Sequence, residues 1–232
     1  MIVTAPKTPP EERRARGRAA RDVVSRRAQS AWDRPPDAAP ALVHLRAQEA
    51  IRAKDLLPLR YERMSVSPWT YFRGAAAVMA ADLAAGPHSR LTVQMCGDAH
   101  VLNFGLWATP ERNLAFALRD FDETLPGPFE WDVKRLATSL VIIARENGHP
   151  DDVGLDAVAA CVQAYRERMH RYADTDQLAI WYDAIHVDEL LTNFDKSTRS
   201  AALKYIAKKA RKKGHQGAFD RLTDLVDGQI RI

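Results

Sequence analysis

Asp98, Asn103 and Asp120 are the residues whose types and order suggest a reaction. Asp98 lies in the run Cys96-Gly97-Asp98-Ala99-His100-Val101-Leu102-Asn103-Phe104-Gly105, five residues before Asn103. Asp120-Phe121-Asp122-Glu123 follows about fifteen residues beyond that run. A phosphotransferase uses this order: a carboxylate takes the proton of an acceptor hydroxyl, and two oxygen ligands then hold Mg2+. Asn103 offers an amide oxygen and Asp120 a carboxylate to a hard cation, while Asp122 and Glu123 add charge that a metal would offset. Each residue alone has a plainer use, because Asp and Asn commonly close turns. The ordered set favours the site.

Neighbouring residues are open to two readings. His100 either orients a phosphate or Asp98, or is satisfied by a backbone carbonyl. Arg73, after Trp69, Tyr71 and Phe72, either meets a ligand phosphate or serves as an ion-pair partner of the acidic cluster. Asp132 opens a helix, where it caps or supports the loop above it. Cys96 reads as a small buried residue, since no base stands beside it.

The elements that must position these residues follow from pattern. Leu91, Val93 and Met95 alternate with Thr92 and Gln94, as in a half-buried strand. Residues 115–118 form a second strand, with 109–113 as the turn between hairpin arms. Pro126-Gly127-Pro128 reads as a break, followed by a helix from about Glu130 to Glu146 that closes at Asn147-Gly148. Upstream, Thr8 is expected to cap a helix whose arginines fall on no single face. Residues 33–37 form a linker, and 38–51 a second helix. Ser67-Pro68 opens a helix expected to run through Ala85. Downstream, helices are expected over 154–173, 175–185, 196–213 and near 217–226. In the third, Leu203, Ile206, Ala207 and Ala210 make the expected buried stripe, opposite Lys204, Lys208 and Lys212.

Bulk numbers narrow the class. The 232 residues suffice for one sizeable domain with an extension. The net charge of +4 is uneven: residues 1–34 hold nine Lys/Arg against four acids, and residues 196–213 hold eight against none. The candidate site therefore sits in the acidic remainder, which suits a metal better than a nucleic acid. Apolar stretches such as Leu136 to Ala144 are too short to cross a bilayer, and no secretory signal is read. Two unpaired cysteine contexts make a reduced cytoplasm the expected location.

The motifs at 59–64, 67–74, 96–105 and 120–135 together resemble the DUF2252 family of bacterial proteins, from about Leu56 to the C-terminus. Residues 96–136 are in turn similar to aminoglycoside and choline phosphotransferases of the protein-kinase-like superfamily. There a His-Gly-Asp run precedes an Asn at the same five-residue step. The resemblance implies Asp98 as base, Asn103 and Asp120 as metal ligands, Asp122 as an auxiliary ligand and Asp132 as a structural support. Cys96 stands where that superfamily has a histidine. No glycine-rich nucleotide loop and no strand-borne lysine are found in the chain. The DUF2252 resemblance implies that such elements lie downstream in a permuted order, so the chain is expected to be a truncated or split member.

The expectation is an α+β, predominantly helical fold with a small β-hairpin, the C-lobe-like half of a protein-kinase-like enzyme. Residues 1–55 form a helical extension with a basic arm, and 56–232 the incomplete lobe. The intact design implies Mg2+- and ATP-dependent transfer to a small-molecule hydroxyl, impaired in this chain. The expected partners are an unknown small-molecule substrate and a complementary chain carrying the glycine-rich half, without membrane or nucleic acid. Removing the Asp98 or Asp120 carboxylate is expected to abolish activity without unfolding. A catalytically dead scaffold or basic binding module is the non-enzyme alternative. A metal-dependent phosphoesterase is the other enzyme class, although its further His and Asp ligands are not evident.

Overall fold

The computed structural model describes residues 8–109, 113–213, 224–226 and 229–231. The chain divides into two compact units, Met1–Gly105 with Leu118–Asp183, and Leu106–Ala117 with Ala184–Ile232. The fold is α+β and mostly helical, with small antiparallel sheets. Among the described residues, no helix is long and apolar enough to cross a membrane.

The first unit opens with α1 (Pro10–Val23), which begins behind Pro9 with no side-chain cap. The expected Thr8 cap is therefore not used. Proline at the first helical position presets φ and lacks an N–H that would otherwise need a partner. Of the residues in α1, only Ala20 is buried, and Arg14 pairs with Asp174. The second helix is shorter than expected: α2 (Ala41–Ala47) tightens into a 3₁₀ turn over Gln48–Ile51. Then come α3 (Leu57–Met64), α4 (Pro68–Gly74) and α5 (Ala76–Ala84). Leu45, Met64, Ala75 and Val78 form a buried cluster with Ala41 and Tyr61 packed against it.

Ser67 does start α4, through a capping box with Thr70. The single helix expected through Ala85 is instead broken at Ala75, whose backbone leaves the helical region. Arg60 Nη2 donates to the Gly74 carbonyl at 2.7 Å and takes the place of the next helical turn's N–H. Gly74 also lies so close to Met64 that a Cβ would stand 2.6 Å from its sulfur.

Strand β1 (Thr92–Met95) pairs antiparallel with β4 (Leu125–Pro128), Thr92 opposite Pro128 and Met95 opposite Leu125. The Pro126-Gly127-Pro128 break is thus a strand. Prolines are tolerated in this short two-stranded ribbon, where an edge has no partner to lose. The expected alternation of β1 also fails, since only Met95 is buried and Val93 is 42% exposed. Next, α6 (Phe129–Glu146) packs along α7 (Asp151–Ala173), with Gly154 admitting the Val141 backbone closely. Gly148, at φ +74°, turns the chain between these helices. The short α8 (Gln177–Tyr182) follows.

In the second unit, β2 (Phe104–Ala108, whose first two residues belong to the first unit), β3 (Leu114–Leu118) and β5 (Ile185–His186) form one sheet. Thr109 N donates to the Asn113 carbonyl at 2.8 Å, and residues 110–112 of the expected turn lie outside the described residues. Val187 and Leu191 of α9 (Val187–Thr192) are buried. In α10 (Lys196–Lys213) the expected stripe is not buried as read: Leu203 is 48% exposed and Ile206 half-buried. Ala207 and Ala210 lie outside the described side chains. A helix near 217–226 is not found where the chain is described, because β6 (Asp224–Val226) pairs with β7 (Gln229–Arg231); the rest of that segment lies outside the described residues.

Candidate functional site

The loop between β1 and β2 carries Asp98, and its shape is fixed from below by α6. Both oxygens of Asp132 accept backbone N–H groups, from Cys96 at 2.8 Å and Gly97 at 3.0 Å. These are charge-assisted bonds at the first turn of a helix, where a carboxylate also meets the favourable end of the helix dipole. Gly97 turns the chain at φ +84°, and a Cβ there would stand 2.0 Å from the Glu123 carbonyl oxygen. Further along, Ser139 Oγ accepts from Val101 N at 3.1 Å, and the Asn103 amide donates to the Asp98 carbonyl at 2.7 Å. The loop is fastened at both ends and across its middle.

One turn after Asp132, Arg135 reaches the Asp98 side chain. Its Nε and Nη2 both lie 2.5 Å from Oδ1. Arg135 also donates to the Phe72 carbonyl at 2.9 Å and sits over the Phe72 ring, 4.3 Å from its centroid. The arginine is 2% exposed and the Asp98 side chain 16%. The pair therefore sits in a low-dielectric setting where removing one partner leaves a buried, uncompensated charge. Asp98→Ala is therefore expected to cost stability as well as any activity. Arg135 is the functional residue that sequence reading missed. Its only sequence signal is the three-residue step from Asp132, which puts both on one face of α6.

His100 is 3% exposed and meets Trp69 edge-on, with ring centroids 5.9 Å apart. Its Nε2 lies 3.7 Å from Asp98 Oδ2, too long for a hydrogen bond. Its Nδ1 is buried without a partner among the described residues. Burial pushes the imidazole below its ordinary range; Asp98 pulls it upward, and Arg135 and Arg73 add to the downward push. Burial likewise pushes the Cys96 thiol up to about 11, which keeps it protonated and a poor nucleophile at neutral pH.

Asp98 opens onto a cleft of about 150 Å³ within the first unit. Asp120, Asp122 and Glu123, all exposed, line it, and Asp122 N donates weakly to Asp120 Oδ1 at 3.4 Å. Arg52, Arg60 and Arg73, from the helical region before β1, line it as well. Asp98, Asp120, Asp122 and Arg73 are thus brought to one cleft. Asn103 does not line it; it is buried in the loop, and its amide nitrogen is engaged by Asp98. His100 and Asp132 lie behind Asp98. Arg52 and Arg60 had no role assigned from sequence.

The donor set can be tested against Mg2+. Among the described residues, no three His, Cys, Asp or Glu side chains converge into a cage for a metal ion. Mg2+ does not require one: it keeps several waters and commonly takes one or two carboxylates plus substrate phosphates. Asp120 and Asp122, open to solvent on the cleft wall, suit that mode.

Comparison with known proteins places the chain. Neither the curated proteins nor the solved structures yielded a match. One family model matches residues 52–232, a span that begins at Arg52 and takes in all the charged residues lining the cleft. The chain belongs to that family, described as "Uncharacterized protein conserved in bacteria (DUF2252)".

Proposed function

We propose that the cleft is the chemical centre of a Mg2+-dependent phosphotransferase that acts on a small-molecule hydroxyl, built on a kinase-like catalytic loop. One observation carries the reading. Asp98 is presented at the cleft by a loop that α6 fastens through Asp132 and Arg135, opposite the acidic Asp120–Glu123 segment. Arg135 occupies Oδ1, so Oδ2 is the oxygen available to the acceptor. Asp98 orients the hydroxyl and takes its proton as the oxygen attacks phosphorus. The guanidinium fixes the carboxylate in direction, as orientation of an acceptor hydroxyl requires. Asp120 and Asp122 would hold Mg2+, which when bound neutralises charge on the donor's phosphate oxygens.

ATP, or another nucleotide, is the proposed donor. Its glycine-rich binding element would come from outside this chain, and a complementary chain is the partner this reading calls for.

The test is Mg2+-dependent nucleotide binding by calorimetry and phosphate transfer from labelled ATP, for the wild type, Asp98→Asn and Asp120→Asn. Asparagine at 98 preserves an oxygen for Arg135. Turnover in the wild type with loss in both variants supports the reading. Equal turnover in all three discards it. Salt-sensitive binding to nucleic acid without nucleotide binding would favour the scaffold alternative instead.

A further inference from the structure

The three arginines of the cleft have no evident structural reason to stand together. Arg52 follows the 3₁₀ turn after α2, Arg60 lies on α3 and Arg73 on α4, so three elements deliver guanidinium groups to one cavity. Their mutual repulsion is incompletely relieved. Burial and then the neighbouring Arg52 lower Arg60 from its ordinary value. Arg52 approaches Glu123 only to 3.8 Å, and its Nε is buried without a partner among the described residues. The Arg73 side chain makes no hydrogen bond or ion pair with any described residue. Only Arg60 has a settled bond, to the Gly74 carbonyl.

Charge and size narrow what would satisfy them. Arg135 already pairs with Asp98, so the lining keeps three arginines and three further carboxylates, Asp120, Asp122 and Glu123. A cavity of about 150 Å³ is well below the roughly 300–1,000 Å³ of sites that bury a whole small molecule. The lining holds no aromatic side chain on which a base would stack, and Ala76 is its only aliphatic one. Guanidinium forks match the geometry of a tetrahedral oxyanion and bind it through paired, charge-assisted hydrogen bonds.

We propose that Arg52, Arg60 and Arg73 form an oxyanion subsite that receives a phosphoryl group beside Asp98. The identity of that group rests on the transferase reading; the binding itself does not. The group is either the terminal phosphate of the donor or a phosphate carried by the acceptor. Either way, the arginines hold the phosphoryl group beside Asp98, while the glycine-rich element of the proposed function binds the rest of the nucleotide.

The experiment is phosphorus NMR titration of the full chain with inorganic phosphate and with tripolyphosphate, each in EDTA and in Mg2+. The wild type binds in EDTA and more tightly in Mg2+. Arg52→Gln and Arg73→Gln each weaken binding about tenfold, as expected for a lost charge-assisted bond. Arg73→Gln is the cleaner variant, because its side chain is exposed and bonded to nothing described. Arg145→Gln, on a residue that pairs with Asp151 away from the cleft, binds as the wild type does. Preference for tripolyphosphate assigns the subsite to the donor, and equal binding of both assigns it to the acceptor. No phosphate binding in the wild type, or unchanged binding in both arginine variants, overturns the subsite. Arginine-dependent phosphate binding without any turnover removes the transferase reading and leaves the subsite. Turnover with the KM of both nucleotide and acceptor unchanged in Arg73→Gln does the reverse.

Discussion

The two acidic segments that border the cleft are held in opposite ways. The 96–103 loop is tied by two backbone bonds to Asp132, one to Ser139, an internal Asn103 bond and a buried ion pair to Arg135. The 120–123 segment is exposed, and among the described residues its side chains make only a 3.4 Å hydrogen bond within itself and a 3.8 Å approach to Arg52. A group that orients a reacting hydroxyl must be fixed in direction, while ligands of a water-rich cation need only be near. Under the proposed function, a fastened loop would suit the base, and open side chains on a backbone held against Gly97 would suit the metal ligands.

Substitutions at both walls test that contrast. Arg135→Ala should have the largest effect, a loss of about 3–5 kcal/mol, because it strands Asp98 in a largely buried position. Urea denaturation measures it, and a change below 1 kcal/mol would mean the ion pair does not hold the loop. Asp132→Ala should cost about 2 kcal/mol by leaving two backbone N–H groups without their acceptor. Hydrogen exchange at Cys96 and Gly97 should accelerate alongside it, and unchanged exchange there would contradict the proposed fastening.

The pH dependence has a definite sign. Burial lowers His100 in the folded state relative to its ordinary value of 6.5. The unfolded chain therefore binds the proton more readily, so stability is full above pH 6.5 and falls as pH drops below it. The slope is at most about 1.4 kcal/mol per pH unit. His100→Gln should flatten that slope in denaturation midpoints taken between pH 7.5 and 5. A slope retained by the variant would move the cause elsewhere. The smallest effect on stability is expected from Asp120→Asn and Asp122→Asn, within about 0.5 kcal/mol, since both side chains are exposed. The same variants should weaken Mg2+ binding in calorimetry, and a large loss of stability would show that the open wall is structural after all.

Much of the skeleton was readable from pattern because it is local. The Ser67 cap and the long helix that begins before Asp132 are each set by a few adjacent residues. The strand over Leu125–Pro128 was missed because proline and glycine are breakers in isolation, and only pairing with β1 makes them a ribbon edge. The break after Gly74 was invisible because it depends on Arg60, fourteen residues earlier, reaching the carbonyl. The cleft follows the same rule. Its acidic residues announce themselves by spacing, whereas Arg135 against Asp98 and the convergence of Arg52 with Arg60 are products of tertiary packing that no short motif encodes.

Gly97 turns the gap between the two acidic stretches into a fixed clearance. With φ at +84° and the Glu123 carbonyl in the volume of an absent β-carbon, the backbones interlock like a key in its ward. Even one added methyl would have to displace the 120–123 segment or unwind the turn beneath Asp98. The spacing between the Gly97 turn and the Glu123 main chain is thereby set by backbone contact, whatever side chains the neighbouring residues carry.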